Sequence, residues 1–286
     1  MTRPPAGRWL APEAARAALT AAGSLGRRAI DRFARLDAVA EVSGAVVAVE
    51  VLAPPAVARP TVRLHAVDAT LLARAEVLRQ ATELARSLAP EARVQLRSAA
   101  DQPDAVLPAA GYAPFTAWIR KRPQAAPEVP GAQVRYADGD GDGDWDFVAQ
   151  CHRTALRSGM PTMVFAPEVL DSYVHDALRI RRRGRPEALV CRVDGERSGH
   201  VTWRTVTDRW SGSALIDVVD VFVTPAYLRG PTGAALNVAL EREVLARRPG
   251  MDLLGNVVAE DGAERRVLER LAVHGWWLDH MLWQLA

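Results

Sequence analysis

An α/β fold built on a mixed sheet, and repeated twice along the chain, is what this sequence predicts. Three features carry the prediction. Residues 214–223, ALIDVVDVFV, are a β-branched apolar run of the kind that is buried on both faces of a sheet. A glycine-bearing turn, 224–233, follows, and then a run with Leu236, Ala239, Leu240, Val244 and Leu245 at helical spacing and its basic residues at the C-terminal end. Finally, the order strand, helix, strand, short helix, Gly-aromatic turn, strand occurs in both halves.

In chain order, 12–36 read as helical and 38–53 as a hairpin. TVRLHAVD, 61–68, is a strand, 71–88 a helix and ARVQLRSA, 92–99, a strand. A short helix ends at Gly111-Tyr112, and 113–122 is the closing strand. The Pro- and Ala-rich PQAAPEVPG, 123–131, is a linker. It separates a first unit, 1–122, from a second, 132–286. In the second unit QVRYADG is a strand, and 144–159 and 167–183 are helices. Residues 187–206 form a hairpin bent at Asp194-Gly195. After the strand and helix described above come a strand at 251–259, a helix leading to Gly275-Trp276, and a last strand, LDHMLWQLA. Gly111-Tyr112 with Trp118 mirrors Gly275-Trp276 with Trp283, the mark of a duplication read from element order.

Composition narrows the function. At 286 residues and 49% hydrophobic, the chain has core enough for two domains without metal or disulfide. Cys151 and Cys191 lack CxxC spacing and read as free thiols of a reducing compartment. Apolar stretches are broken by Arg, Asp or Pro, so no membrane span or secretion signal is expected and the cytoplasm is the expected location. A net charge of +2 with interspersed signs argues against a nucleic-acid partner. His152, His175, His200, His274 and His280 show no metal-ligand spacing, and the acidic 138–144 lacks the closing Glu of a calcium loop. The arginines of 179–185 suit a helix C-terminus.

The strand–turn–helix at 217–240 is where chemistry is expected. A glycine turn entering a helix aims free N–H groups and the positive helix end outward, which suits a pyrophosphate. Arg229, Gly230, Thr232, Gly233, Ala234 and Ala235 make up that turn. The matching position of the first unit, 69–77, has no glycine. Asp217 and Asp220 interrupt an otherwise apolar strand, and a carboxylate there is costly unless paired or used. Three positions apart, the two are expected on opposite faces.

The strand ending V-x-V-x-P, the Arg-Gly and Gly-Ala-Ala-Leu that follow, and VLERLA before Gly-aromatic resemble the core of the GNAT (GCN5-related N-acetyltransferase) superfamily. The resemblance covers 133–286, and 12–122 in outline. It implies two fused GNAT-like domains, the N-terminal one degenerate. It implies acetyl-CoA, or another acyl-CoA, held by the turn and by the backbone of Val221, Phe222 and Val223, with Asn256 bonding the pantetheine amides. Asp217 takes the place of the strand base, with Asp220 the alternative. Departures are Leu228 at the head of the turn, Pro231 in place of a glycine, Leu268 where a tyrosine acid stands, and Asp261 where an asparagine does. Tyr227, Tyr173 and His175 are candidate replacements for the acid. Tyr173, His175 and Trp203 are the residues expected at the acceptor.

The resulting expectation is N-acylation of a small-molecule amine, such as an antibiotic, amino acid or biosynthetic intermediate, by a monomer or homodimer. Transfer is direct, with a carboxylate base. The alternatives are a non-catalytic acyl-CoA binder and an aminoacyl-tRNA-dependent transferase.

Overall fold

The structure is a computed structural model. It describes residues 7–23, 25, 27–36, 38–52, 60–67, 69–100, 105–137, 143–159, 170–172, 174–175, 178, 186–208, 211–258 and 264–286. Tyr173 and Asp261, and with them 138–142 and 179–185, lie outside the described residues.

Twelve strands form one continuous sheet. They are β1 (Gly7–Trp9), β2 (Ala38–Val42), β3 (Ala45–Leu52), β4 (Thr61–Ala66), β5 (Arg93–Ala99), β6 (Tyr112–Lys121), β7 (Gln133–Tyr136), β8 (Glu187–Val193), β9 (Glu196–Thr207), β10 (Ala214–Val223), β11 (Leu253–Val258) and β12 (Trp276–Leu285). Their spatial order is β1-β2-β3-β4-β5-β12-β6-β11-β10-β9-β8-β7. Two six-stranded halves meet at the β12–β6 pair, and each ends on the strand of the other: β12 lies against β5, and β6 against β11. Within each half all pairs are antiparallel except β4–β5 and β10–β11. The tight hairpins β2–β3 and β8–β9 turn on Ser43-Gly44 and Asp194-Gly195, with positive φ at all four residues, as type I′ turns require.

Helices cover the two faces. On one face lie α1 (Pro12–Ala22), α2 (Arg27–Leu36) and α5 (Asp144–Gly159). On the other lie α3 (Ala75–Arg86), α4 (Val106–Ala109), α6 (Thr232–Arg247) and α7 (Glu264–Val273). The helical region expected over 12–36 is two helices, because Gly23 adopts the left-handed conformation that ends α1. The strand β1 has no counterpart in the sequence reading; it adds three residues to the β2 edge.

Alternation along the strands sorts side chains between the faces. Ile216 and Val218 of β10 and Val201 and Trp203 of β9 pack under Leu236, Leu240 and Val244 of α6. Val62, Leu64, Val94 and Leu96 pack under Val77, Leu78 and Ala81 of α3. The strand β12 serves both cores, with Trp283 in the first and Trp276 in the second. No described helix is long and apolar enough to cross a membrane.

Candidate functional site

The two parallel strand pairs behave differently. In the first half β4 and β5 stay in register over five pairs, from Thr61↔Arg93 to His65↔Arg97. In the second half β10 and β11 share only Ile216↔Leu253 and Asp217↔Leu254, although they run on to Val223 and Val258. Beyond Asp217 the two strands part, and among the described residues the backbone edge of 218–223 that faces β11 has no strand partner. A bulge begins at the same place. The pairing of β10 with β9 shifts between Val218 and Asp220, leaving Val219 as the extra residue.

That bulge corrects the expectation for the two aspartates. Asp217 lies opposite Arg204 and Asp220 opposite Thr202, two residues apart on β9, so both carboxylates point to the α5 face. One inserted residue inverts the alternation after it. Their surroundings differ. Asp217 is buried and receives both Nε and an Nη of Arg204, at 2.8 and 2.7 Å. Asp220 sits between two imidazoles: Nδ1 of His152, on α5, is 3.0 Å from Oδ2, and Nε2 of His200, on β9, is 3.3 Å away. Burial alone would raise the Asp220 carboxyl, but its contacts with His152 and His200 outweigh that and hold it at about 2. Burial, and after it the Asp220 charge, pushes the neighbouring Cys151 thiol up to about 12.

At the end of β10 the chain makes a short 3₁₀ turn, Pro225–Tyr227, and enters α6. The N–H of Gly230 is bonded to Tyr227 O and that of Ala235 to Pro231 O, each at 2.9 Å. These two are therefore not available as donors, and the expected set reduces to Thr232, Gly233 and Ala234, the first three residues of α6. Thr232 is fully buried, its Oγ1 bonded to Ser198 Oγ at 2.9 Å. A Cβ on Gly233 would meet only Val223 Cγ2, at 3.7 Å. Gly199 of β9 is what lets this turn approach. A Cβ there would lie 2.5 Å from Phe222 O and 2.9 Å from Thr232 Cγ2. Val221 and Arg229 are exposed, and Phe222 and Val223 half-buried. The corresponding stretch of the first half, Ala69–Leu72, is a 3₁₀ turn whose Leu71 and Leu72 fill the core.

Asn256 is exposed on β11, paired with Trp118 of β6 and on the same face as Asp220. Trp203 is fully buried beside Ile216 and Leu236 on the α6 face, so it packs the core and lines no groove. His175 is helical and exposed and is not among the residues bonded to Asp220. The residues that sequence reading missed are His152, His200, Arg204 and Gly199. A Ser-Gly-His run facing a strand aspartate is a signal only once the register is known.

On the same face, the seam between the halves carries a polar row. Arg120 of β6 bonds Asp279 at 2.8 Å and Asp208 at 3.2 Å. Arg97 of β5 reaches His280 of β12 at 3.1 Å, and Trp118 stacks on the His280 ring. Burial lowers His280 to about 4 and Arg97 to about 9. Among the described residues no group of three His, Cys, Asp or Glu is placed to hold a metal ion.

No protein-family model matches this sequence, and neither does any curated protein. Solved structures do. A GCN5-related N-acetyltransferase from Sphaerobacter thermophilus is similar with a TM-score of 0.55 at 17% identity, covering 97% of this chain and 94% of that one. A tandem GNAT protein from the clavulanic acid biosynthesis pathway is similar with a TM-score of 0.50 at 16% identity, covering 98% of each chain. The chain shares the fold of these two proteins, that of a tandem GNAT protein, with a mixed α/β sheet covered on both faces.

Proposed function

We propose that this chain, folded as a tandem GNAT protein, is a CoA-dependent N-acyltransferase that moves an acetyl group from acetyl-CoA to the amine of a small molecule. One observation carries the reading. The second half alone opens its parallel strand pair, and the opening leads to a helix N-terminus with three unbonded N–H groups. An acyl-CoA fits that arrangement. The edge of Val221, Phe222 and Val223 offers backbone groups to the pantetheine amides. Thr232, Gly233 and Ala234 offer theirs to the pyrophosphate, with Arg229 exposed beside them. Gly233 leaves room for a close approach. Pro231 contributes no N–H. The first half keeps its parallel pair in register and has no glycine at 69–77, so one acyl-CoA per chain follows.

The bound thioester supplies an activated acyl group, and the protein's part is to orient the amine and take up its proton. Asp217 is committed to Arg204, whereas Asp220 lies beside the opening with imidazole partners, so proton uptake is assigned to Asp220 and its partners. Asn256 and Trp118, on the same face, border the acceptor.

Calorimetry with acetyl-CoA and a thiol-release assay over a panel of small amines test the reading together. Binding at one site per chain with amine-dependent thiol release is the expected result. Binding without release against any amine would favour a non-catalytic acyl-CoA binder, which the substitution of Pro231 and Leu268 at the family's positions supports. No binding would refute both.

A further inference from the structure

We propose that His152 is the proton acceptor of this site, that Asp220 is the positioning residue that fixes its tautomer, and that His200 and Thr202 hold Asp220 in turn. The proposal rests on the acyl-transfer reading and names the group that carries its proton step.

The hydrogen-bond chain fixes each proton. An ionised carboxylate accepts and does not donate. Nδ1 of His152, 3.0 Å from Asp220 Oδ2, therefore carries a hydrogen, and in the neutral ring Nε2 keeps its lone pair. His200 presents Nε2 to the same oxygen at 3.3 Å, and its Nδ1 lies 3.1 Å from Thr202 Oγ1. With the His200 hydrogen on Nε2, turned toward Asp220 at ion-pair distance, Nδ1 accepts from the Thr202 hydroxyl. That arm is sealed: His200 is 0% exposed and Thr202 1%. The His152 side chain, by contrast, is 7% exposed, and no described residue bonds its Nε2. Only one of the two imidazoles reaches solvent with a free lone pair.

Chemistry favours the ring over the carboxylate. A carboxyl held at about 2 retains a proton too weakly to take one from an amine near neutral pH. The ring offers a nitrogen lone pair instead. Asp220 of β10 is bonded to the His152 ring, and around that carboxylate lie His200 of β9 and, next to His152 on α5, Cys151. The nearby Arg153 is bonded to Asp171 at 2.6 Å. Cys151 stays a neutral thiol, and among the described residues Asp220 is the charged group bonded to the ring. The bulge at Val219 is what delivers that charge to α5. In the step itself, the amine nitrogen forms a bond to the thioester carbonyl carbon, the C–S bond breaks with its electron pair on sulfur, and the nitrogen's proton passes to Nε2 of His152.

Two measurements test the assignment. Thiol release is followed against pH for the wild type, His152→Gln and Asp220→Asn, with acetyl-CoA affinity measured by calorimetry on each. Separately, the ring ¹⁵N shifts of His152 are recorded at pH 8 in the protein free of acyl donor. The expected results are an acid limb on kcat/KM in the wild type, and a loss of about 10²- to 10⁴-fold without that limb in His152→Gln. Acetyl-CoA affinity stays unchanged, and Asp220→Asn moves the limb to lower pH because the imidazolium loses its carboxylate. The ring spectrum should show hydrogen on Nδ1 and a lone pair on Nε2, and Asp220→Asn should mix the tautomers. Turnover in His152→Gln at the wild-type rate with its limb intact overturns the proposal and leaves the acyl-transfer reading standing. So does a wild-type ring protonated at Nε2, a result that needs no folded variant. A wild type that neither binds acetyl-CoA nor releases thiol removes both.

Discussion

Replacing Gly199 with alanine tests the framework of the site, and replacing Gly233 tests its cradle. At Gly199 an added Cβ would lie 2.5 Å from the carbonyl oxygen of Phe222, a backbone atom that cannot rotate away, and 3.3 Å from Leu236 Cδ1. Reaching an ordinary separation requires β9 and β10 to open by about 1 Å at their ends. Overpacking of this kind costs about 1–3 kcal/mol. The same opening strains the buried Thr232–Ser198 hydrogen bond, of 2.9 Å, whose net contribution is about 1 kcal/mol. Gly199→Ala should therefore lower stability by about 2–4 kcal/mol, read as a lower urea midpoint at unchanged slope. It should weaken acetyl-CoA binding too, because the first turn of α6 is what moves. At Gly233 the nearest atom is a side-chain methyl at 3.7 Å, so Gly233→Val should unfold at the wild-type midpoint and still lose acetyl-CoA, the added bulk standing where the ligand approaches. Equal stability of Gly199→Ala and wild type would refute the close-approach argument. Tight binding by Gly233→Val would refute the placement of the pyrophosphate.

Three further outcomes are expected. Cutting the linker within 124–128, which is exposed, should leave the two pieces bound in size-exclusion chromatography, because β6 and β12 each lie in the other's half; a well-behaved, active 132–286 fragment would contradict this. Asp217→Asn removes the charge from the Arg204 pair and should cost about 1–3 kcal/mol of stability, with kcat close to wild type; a kcat loss matching that of Asp220→Asn would restore Asp217 as the proton-handling carboxylate. Stability should fall in two acid stages. His65 and His280 are buried with pKa values near 4, below the unfolded 6.5, so stability present above pH 6.5 is lost as pH falls from there to about 4. Asp220 and Asp279, held at about 2, contribute stability above their unfolded 3.8 that is lost between about 4 and 2. A pH–midpoint curve flat from 7 to 4 would rule out buried neutral histidines.

Much of the fold could be read from local pattern. The run 214–223, the helix with Leu236 and Leu240, and the Asp194-Gly195 hairpin each follow from residues near one another in sequence. What could not be read depends on register or on distant partners. In ALIDVVDVFV either valine could be the extra residue, and only pairing with β9 makes Val219 the bulge and puts Asp220 on the face of Asp217. Trp203 reads as a groove residue or a core residue with equal ease, since a strand pattern shows alternation and not which face is covered. The strand exchange is likewise silent. Residues 113–122 and 278–286 both follow a Gly-aromatic turn, and nothing local distinguishes a strand that closes its own half from one that closes the other. His152 and His200, 48 positions apart in the chain, become a pair only through Asp220.

The exchange of β6 and β12 also dictates the order in which this protein can mature during synthesis. When residues through Lys121 have left the ribosome, the first half has five of its six strands and an open β5 edge. The strand that belongs on that edge, β12, is not made until more than half the chain has followed, a closure of high sequence separation and correspondingly slow. Meanwhile β6, a strand that follows a Gly-aromatic turn as β12 does, is made close to that open edge. A nascent chain that lets β6 settle there must release it before β11 can be paired. Two such chains side by side can instead trade final strands and lock into a tangled dimer.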